Sequence, residues 1–323
     1  MSRKVFITGA TGFVGRHLIH LMDSSGYQIC GTSFPEKPEA FPFCRGKEVA
    51  HVDLRRREDV VEAVKKAQPD WVVHLAAVSN VRSSWESRQE TMETNLMGTF
   101  HLLEAVRSHA PGARTLFVSS SDVYGVLSPT EKPLTEEDPP HVVSPYAFTK
   151  VSGETLSRFY AEVEDLDVVV ARSFPHTGPG QSPAFVCSDW ASQVARIEGG
   201  EGVTVIRVGN TKVKRDFTDV RDVVKAYKKL MEKGKKGEIY NVCSGRGVSL
   251  EEILENLRSL SVEEIKVEVD PKKLRKADIP YLVGDNSKIK EEIGWGPSVP
   301  LSQTLGDLLQ YWREELTARG GRG

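Results

Sequence analysis

Twenty-two residues near the start constrain this chain most. Lys4-Val5-Phe6-Ile7-Thr8 reads as a short apolar strand, Gly9-Ala10-Thr11-Gly12-Phe13-Val14-Gly15 as a turn with glycines three apart, and Arg16 to Ser25 as a helix. A glycine turn between a strand and a helix lets backbone approach a pyrophosphate while the helix N-terminus faces it. The segment therefore predicts a dinucleotide cradle built from Gly9, Thr11, Gly12, Phe13, Val14 and Gly15. It also predicts the surrounding architecture: an α/β chain whose doubly wound parallel sheet carries helices on both faces.

Further strands follow at the spacing such a sheet needs. The second, Tyr27 to Thr32, ends at Ser33-Phe34, where no acidic residue meets the ribose hydroxyls that an NAD site would engage. Ser33 and Arg16 are the groups available for a 2'-phosphate, so NADP(H) is favoured, with NAD(H) left open. Val49 to Leu54 ends a third strand. The run Arg55-Arg56-Arg57 beside it reads as a solvated patch. Trp71 to Ala77 is a buried fourth strand that opens into small residues, Leu75-Ala76-Ala77, able to let backbone near a cofactor; His74 reads as a core histidine. Thr115 to Ser119 is the fifth, delivering Ser120-Ser121-Asp122 at the carboxyl edge where open parallel sheets bind ligands.

Composition excludes other classes. Lys+Arg (43) nearly balance Asp+Glu (45) among 323 residues, so no basic field points to nucleic acid or to a membrane surface. Cys30, Cys44, Cys187 and Cys243 show no Cys-x-x-Cys pairing, which disfavours a zinc site or a disulfide scaffold, and no metal is expected. No apolar run of about 18 residues occurs and no signal region precedes the first strand. These features predict a soluble, cytoplasmic protein with reduced thiols. The length suggests one large domain with a smaller one intertwined.

The chemistry is concentrated in Ser144-Pro145-Tyr146-Ala147-Phe148-Thr149-Lys150. After a proline helix start, Tyr146 and Lys150 stand four apart on one helical face, so the ammonium is expected to lower the phenol's pKa and prepare it for proton exchange. Such a pair alone is common. Its order after the glycine cradle and the Ser120 strand end makes it an acid/base device beside a nicotinamide, with Ser120 bonding the reacting oxygen.

The Gly-x-x-Gly-x-x-Gly fingerprint and the Ser, Tyr-x-x-x-Lys succession resemble the extended short-chain dehydrogenase/reductase superfamily. The segments His74-Leu75-Ala76-Ala77, Ser84-Trp85, Asn95, Gly178-Pro179-Gly180-Gln181, Phe185-Val186, Arg215 to Asp222 and Tyr240 to Gly245 narrow this to its sugar-nucleotide branch. They are similar to GDP-4-keto-6-deoxymannose reductases and GDP-mannose 4,6-dehydratases. The resemblance implies that Asp53 and Leu54 meet the adenine, that Asn95 orders the site, and that Lys150 holds the ribose. It implies substrate contacts from Ser121, Phe174, His176 and Asp189, with Arg215 and Arg275 clamping a diphosphate.

Two positions depart from the family pattern. Pro175 stands where an asparagine is common and offers neither amide nor backbone donor. Asp122 stands where a 4,6-dehydratase carries glutamate to remove the C5 proton, and it is one methylene shorter. Misplacement of a base is costly in rate. Reductase is therefore ranked first, then a 4-epimerase of GDP-mannose or UDP-glucose type, then a dehydratase, and last a non-catalytic dinucleotide binder.

A second, sequence-discontinuous α/β lobe follows from the Pro/Gly-rich loop after the strand Asp167 to Ala171. Residues 1–173 and 213–243 are assigned to the dinucleotide domain, and 174–212 and 244–323 to the sugar-nucleotide lobe. Thr91 to Ser108 is amphipathic, with Leu96, Phe100, Leu103 and Val106 on one stripe. In the resembled family this helix and the Tyr146 helix often pack against their copies, so a homodimer is expected.

Overall fold

The computed structural model describes residues 2–125, 132–200, 204–274 and 279–320. Its first half alternates strand and helix: β1 (Lys4–Thr8), α1 (Phe13–Ser24), β2 (Gln28–Ser33), β3 (Glu48–His51), α2 (Arg57–Ala67), β4 (Trp71–His74), α3 (Val81–Glu86), α4 (Arg88–Met92), α5 (Gly98–His109), β5 (Arg114–Ser120), α6 (Pro145–Glu162) and β6 (Val168–Ser173). The second half contributes β7 (His176–Thr177), α7 (Val186–Glu198), β8 (Val205–Val208), β9 (Lys214–Asp216), β10 (Thr218–Asp219), α8 (Val220–Lys233), β11 (Ile239–Val242), β12 (Gly247–Ser249), α9 (Leu250–Ser259), β13 (Lys266–Val269), β14 (Tyr281–Leu282), α10 (Ser287–Ile293) and α11 (Leu301–Gly320).

Seven strands form one parallel sheet in the order β11-β6-β5-β4-β1-β2-β3. Chain order reverses between β1 and β4, so the carboxyl ends of these strands open the crevice in which doubly wound sheets bind ligands. Apolar runs make these strands because both faces are covered. On β1, Val5 and Ile7 face a core with Leu18, Ile19 and Met22 of α1 and Tyr227 of α8, whereas Phe6 faces the opposite core with Val60, Val64, Leu102 and Val106.

Three small sheets, β12-β9-β14, β10-β7 and β13-β8, lie beyond β6. A third core gathers Trp190, Ile206, Leu254, Leu308 and Trp312 among α7, α9, α11 and β8. Two segments sit differently from the sequence assignment: Lys214–Asp216, assigned to the dinucleotide domain, pairs within a small sheet, while Ile289 and Ile293 of α10, assigned to the lobe, pack into the core under the large one.

The amphipathic stretch near Asn95 differs from a plain helix. It runs through α4 and α5 with a π turn over Glu93–Met97 between them. Leu103 and Val106 are buried as the stripe predicts, joined by Leu102 and Ala105, whereas Leu96 and Phe100 are half-buried. The extra residue in the π turn rotates Asn95 inward, a local departure of the kind found near functional sites.

Candidate active site

Two glycines shape the cradle. Gly9 has φ +66°, which a side chain rarely adopts, and a Cβ on Gly15 would lie 2.4 Å from the Gly9 carbonyl oxygen. The turn is tied to β2 by the Ala10 amide, which donates to the Thr32 carbonyl at 2.9 Å. Helix α1 begins at Gly12 with no side chain capping its first amides. Those uncapped N–H groups and the bare glycine backbone fit a dinucleotide pyrophosphate.

The candidate catalytic side chains come from β5 and α6. Ser144 caps α6 by accepting from the Ala147 amide at 3.0 Å, and Pro145 occupies its first turn. This start brings Tyr146 over the end of β5, where its hydroxyl hydrogen-bonds Ser120. One turn on, Lys150 Nζ donates to the Val118 carbonyl at 2.8 Å and lies 5.8 Å from the Tyr146 ring centroid. Ser120 Oγ donates to Asp122 Oδ2 at 3.1 Å. Gly9, Thr11, Gly12, Phe13, Val14, Gly15, Leu75, Ala76, Ala77, Ser120, Ser121, Asp122, Tyr146 and Lys150 all border one cleft of about 1920 Å³. That volume exceeds the roughly 300–1,000 Å³ of ordinary small-molecule pockets and suits two nucleotides end to end.

The electrostatics correct one expectation. Burial holds the Tyr146 phenol well above its ordinary value, the Asp122 charge pushes the same way, and the Ser120 hydrogen bond opposes them. Lys150 does not offset this. Its own pKa is drawn down to about 8 by burial, against the raising influence of Glu154. In the ligand-free protein Tyr146 is a firmly protonated acid.

Other expected residues are placed differently. Ser33 is buried, its hydroxyl has no hydrogen-bond partner among the described residues, and it does not border the cleft. Arg16 turns to the far loop, where Nη2 donates to the Gly180 carbonyl at 2.6 Å. Neither lies where a 2'-phosphate is expected, because β2 alternation buries the first and the Gly180 loop captures the second. Asn95 likewise stays out of the cleft. Its Oδ1 accepts from the Val78 amide at 2.7 Å, and its Nδ2 donates to the Val78 carbonyl and to Thr149 Oγ1, both at 3.1 Å. It ties the loop after β4 to α6. Asp53 and Leu54 do border the cleft, but Arg55 is no solvated bystander: it donates to both Asp53 carboxylate oxygens at 2.6–2.9 Å, lowering the carboxyl's pKa, and lies over the Phe34 ring. His74 fits the core reading, bridging Thr8 and Thr99 at 2.7 and 2.9 Å.

At the other end of the cleft stand Phe174, Pro175, His176, Asp189 and Arg215. His176 stacks on Phe13 with rings 9° from parallel and 6.1 Å apart. Arg215 Nη1 donates to the carbonyls of Lys214 and Ile279 at 2.8 and 2.7 Å. Asp189 faces Lys273 Nζ at 3.4 Å. Arg275 lies outside the described residues. Glu36 and Lys273 border the cleft and escaped the sequence reading. Glu36 is only two positions beyond Phe34 and was findable by extending the search past the strand's end; Lys273 had no motif.

Residues 6–308 match the family model described as GDP-mannose 4,6 dehydratase. GDP-6-deoxy-D-mannose reductase of Pseudomonas aeruginosa is 32% identical over 98% of this chain and 99% of its own. The structure of RMD from Pseudomonas aeruginosa complexed with NADPH superposes with a TM-score of 0.86, 32% identity, and coverage of 97% and 100% of the two chains. Thermus thermophilus UDP-glucose 4-epimerase, complexed with NAD, gives a TM-score of 0.86 at 28% identity, covering 96% and 99%.

Proposed function

Because the chain belongs to the GDP-mannose 4,6-dehydratase family, in the sugar-nucleotide branch of the extended short-chain dehydrogenases/reductases, we propose that it reduces the C4 ketone of a GDP-linked 4-keto-6-deoxyhexose, as a GDP-4-keto-6-deoxymannose reductase. It is an NAD(P)-dependent sugar-nucleotide enzyme. The observation that carries the reductase reading is the Ser120–Asp122 hydrogen bond. An aspartate already engaged with the serine is poorly placed to strip a C5 proton, as a dehydratase base must. The raised pKa of Tyr146 adds support, since a phenol held protonated is set to donate.

The dinucleotide supplies hydride when bound. Tyr146 Oη gives its proton to the developing C4 alkoxide, and Ser120 Oγ turns its one O–H from Asp122 to that oxygen as charge accumulates. Lys150 holds the ribose through its ammonium and, once the proton has left, stabilises the tyrosinate. Arg215 faces the diphosphate, Lys273 borders the same cleft beside Asp189, and Ser121, Phe174 and His176 border the nucleotide-sugar half. At the adenosine end Glu36 borders the cleft with no ion-pair partner among the described residues, while Arg55 is occupied by Asp53. This supports NAD(H) over the NADP(H) expected from Ser33 and Arg16, although the similar Pseudomonas protein was solved with NADPH.

The homodimer remains part of the proposal. Phe148 and Phe159 on α6 and Met97 before α5 are 43–47% exposed, and a second copy would cover them. We place the enzyme in the cytoplasm; its four cysteines are buried and unpaired, and no described helix is long and apolar enough to cross a membrane. The deciding experiment incubates the protein with GDP-mannose and, separately, with its 4-keto-6-deoxy product. Oxidation of added NADH or NADPH by the keto sugar alone supports the reductase; a 4-epimer formed from GDP-mannose without added dinucleotide overturns it.

A further inference from the structure

Behind the candidate site, α6 is fastened to the end of β5 by three successive contacts. Tyr146 meets Ser120, Lys150 meets the Val118 carbonyl, and Glu154 Oε1 accepts from Ser119 Oγ at 2.5 Å. The three side chains stand at i, i+4 and i+8, so they share one helical face. Glu154 is also held from β6. Arg172 Nε donates to its two oxygens at 3.0 and 3.2 Å, and Nη2 donates to Oε2 at 2.8 Å. Both side chains are buried, at 7% and 4% exposure. The remaining Arg172 nitrogen, Nη1, donates to Tyr124 Oη at 3.0 Å, and Tyr124 in turn donates to Asn241 Oδ1 on β11 at 2.8 Å.

Burying an ion pair is an inefficient way to gain stability, because apolar side chains of the same shape usually serve as well. Its location one turn beyond Lys150 suggests another use. Lys150 is itself buried, and the groups around it are few. From β5 come the Phe117 ring at 5.2 Å and the Val118 carbonyl; from α6, the neutral Tyr146 phenol; from β4, His74, which burial keeps uncharged with a pKa of about 3. Asp122 faces Tyr146 from the turn after β5. Arg172 is the nearby cation from β6, and its guanidinium is spent on Glu154, Tyr124 and the Glu136 carbonyl.

We propose that Glu154, fixed by Arg172 and Ser119, is a positioning residue of this site: it supplies the anchored negative charge that keeps the Lys150 ammonium charged and in place to hold the dinucleotide. The proposal rests on the reading of Lys150 as the ribose-holding group, not on which sugar is reduced. It accounts for a charged pair in a setting that otherwise disfavours charge, and it agrees with Glu154 being the one group that raises the Lys150 pKa.

Dinucleotide affinity against pH tests it, read by fluorescence titration of NADH and NADPH. In the wild type, affinity falls as pH rises through about 8, where Lys150 loses its proton. In Glu154→Gln the fall begins about one pH unit lower, leaving roughly fivefold less ammonium, and correspondingly weaker binding, at pH 8. Glu154→Asp, which retains the charge, keeps the fall near its wild-type pH even if binding weakens overall. Should Glu154→Gln strand Arg172 and fail to fold, Glu154→Gln/Arg172→Gln removes both charges, and its fall moves the same way by a smaller amount. An unchanged pH dependence in a folded Gln variant, or an Asp variant that behaves like Gln, overturns the proposal and leaves Glu154 a packing residue. Because binding is the readout, absence of turnover with every keto sugar would defeat the reductase reading while leaving this result intact.

Discussion

Tyr146 and Lys150, the proposed acid and its lysine partner, have pKa values displaced in opposite directions, both chiefly by burial. Desolvation disfavours the charged form, so the phenol rises and the ammonium falls. Tyr146→Phe removes the proton donor without touching the cradle: turnover of a keto sugar should drop about 10²–10⁴-fold while the dinucleotide dissociation constant stays within about twofold. Single-turnover hydride transfer and a fluorescence titration check the two halves separately. At the adenosine end, Glu36→Ser should narrow or reverse a preference for NADH over NADPH; equal dissociation-constant ratios in wild type and variant would remove Glu36 from cofactor selection. The Tyr146–Lys150 pair was legible in the sequence because a four-residue spacing needs only a helix to become a shared face. The direction of the Tyr146 pKa was not, since it depends on how completely β5, α3 and the cleft wall bury the ring. Arg16 misled for a similar reason: its partner, the Gly180 carbonyl, lies 164 residues away.

At the scale of elements, the sheet was readable from apolar strands and glycine turns, and the helix over Ser287–Ile293 from its own pattern. The π turn was not, because its cause is tertiary. Asn95 must face inward to bond Val78 and Thr149, and the helix accommodates this by inserting a residue between α4 and α5. Thr149 Oγ1 in turn donates to the Tyr146 carbonyl at 2.8 Å, so the chain of bonds runs from the loop after β4 to the catalytic turn of α6. Asn95→Leu fills the space but leaves the part-buried Val78 amide and carbonyl without the Asn95 partner. A loss of about 1–3 kcal/mol in unfolding free energy is expected, measured by urea denaturation, with kcat reduced more than dinucleotide affinity. A variant as stable as the wild type would mean that water replaces the amide.

Taken whole, the molecule couples its two halves where the first helix grips the loop that leaves the sheet. Arg16 Nη2 donates to the Gly180 carbonyl, and His17 Nε2 bonds the Pro179 carbonyl at 2.9 Å. Phe13, at the start of the same helix, stacks on His176 just upstream of that loop. The proposed cofactor cradle and substrate wall are thus consecutive surfaces of one cleft. Gly180 has φ +86°, and a Cβ there would sit 2.3 Å from Arg16 Nη1, so no other residue fits without pushing the guanidinium away. Burial lowers the pKa of His17, which keeps the imidazole neutral at pH 7; with Nε2 protonated, it donates to Pro179 without carrying charge. Arg16→Ala should therefore leave the dinucleotide dissociation constant nearly unchanged and weaken sugar-nucleotide binding about tenfold, because the loop's ordering must then accompany substrate binding. Calorimetric titration of GDP into the dinucleotide-bound enzyme measures this directly. Arg215→Ala supplies the contrast: it removes a proposed phosphate contact, so its loss should shrink as ionic strength rises, whereas the Arg16→Ala loss, being one of loop order, should not. If both losses respond to salt alike, Arg16 acts as a charge and the loop is not its route to the substrate.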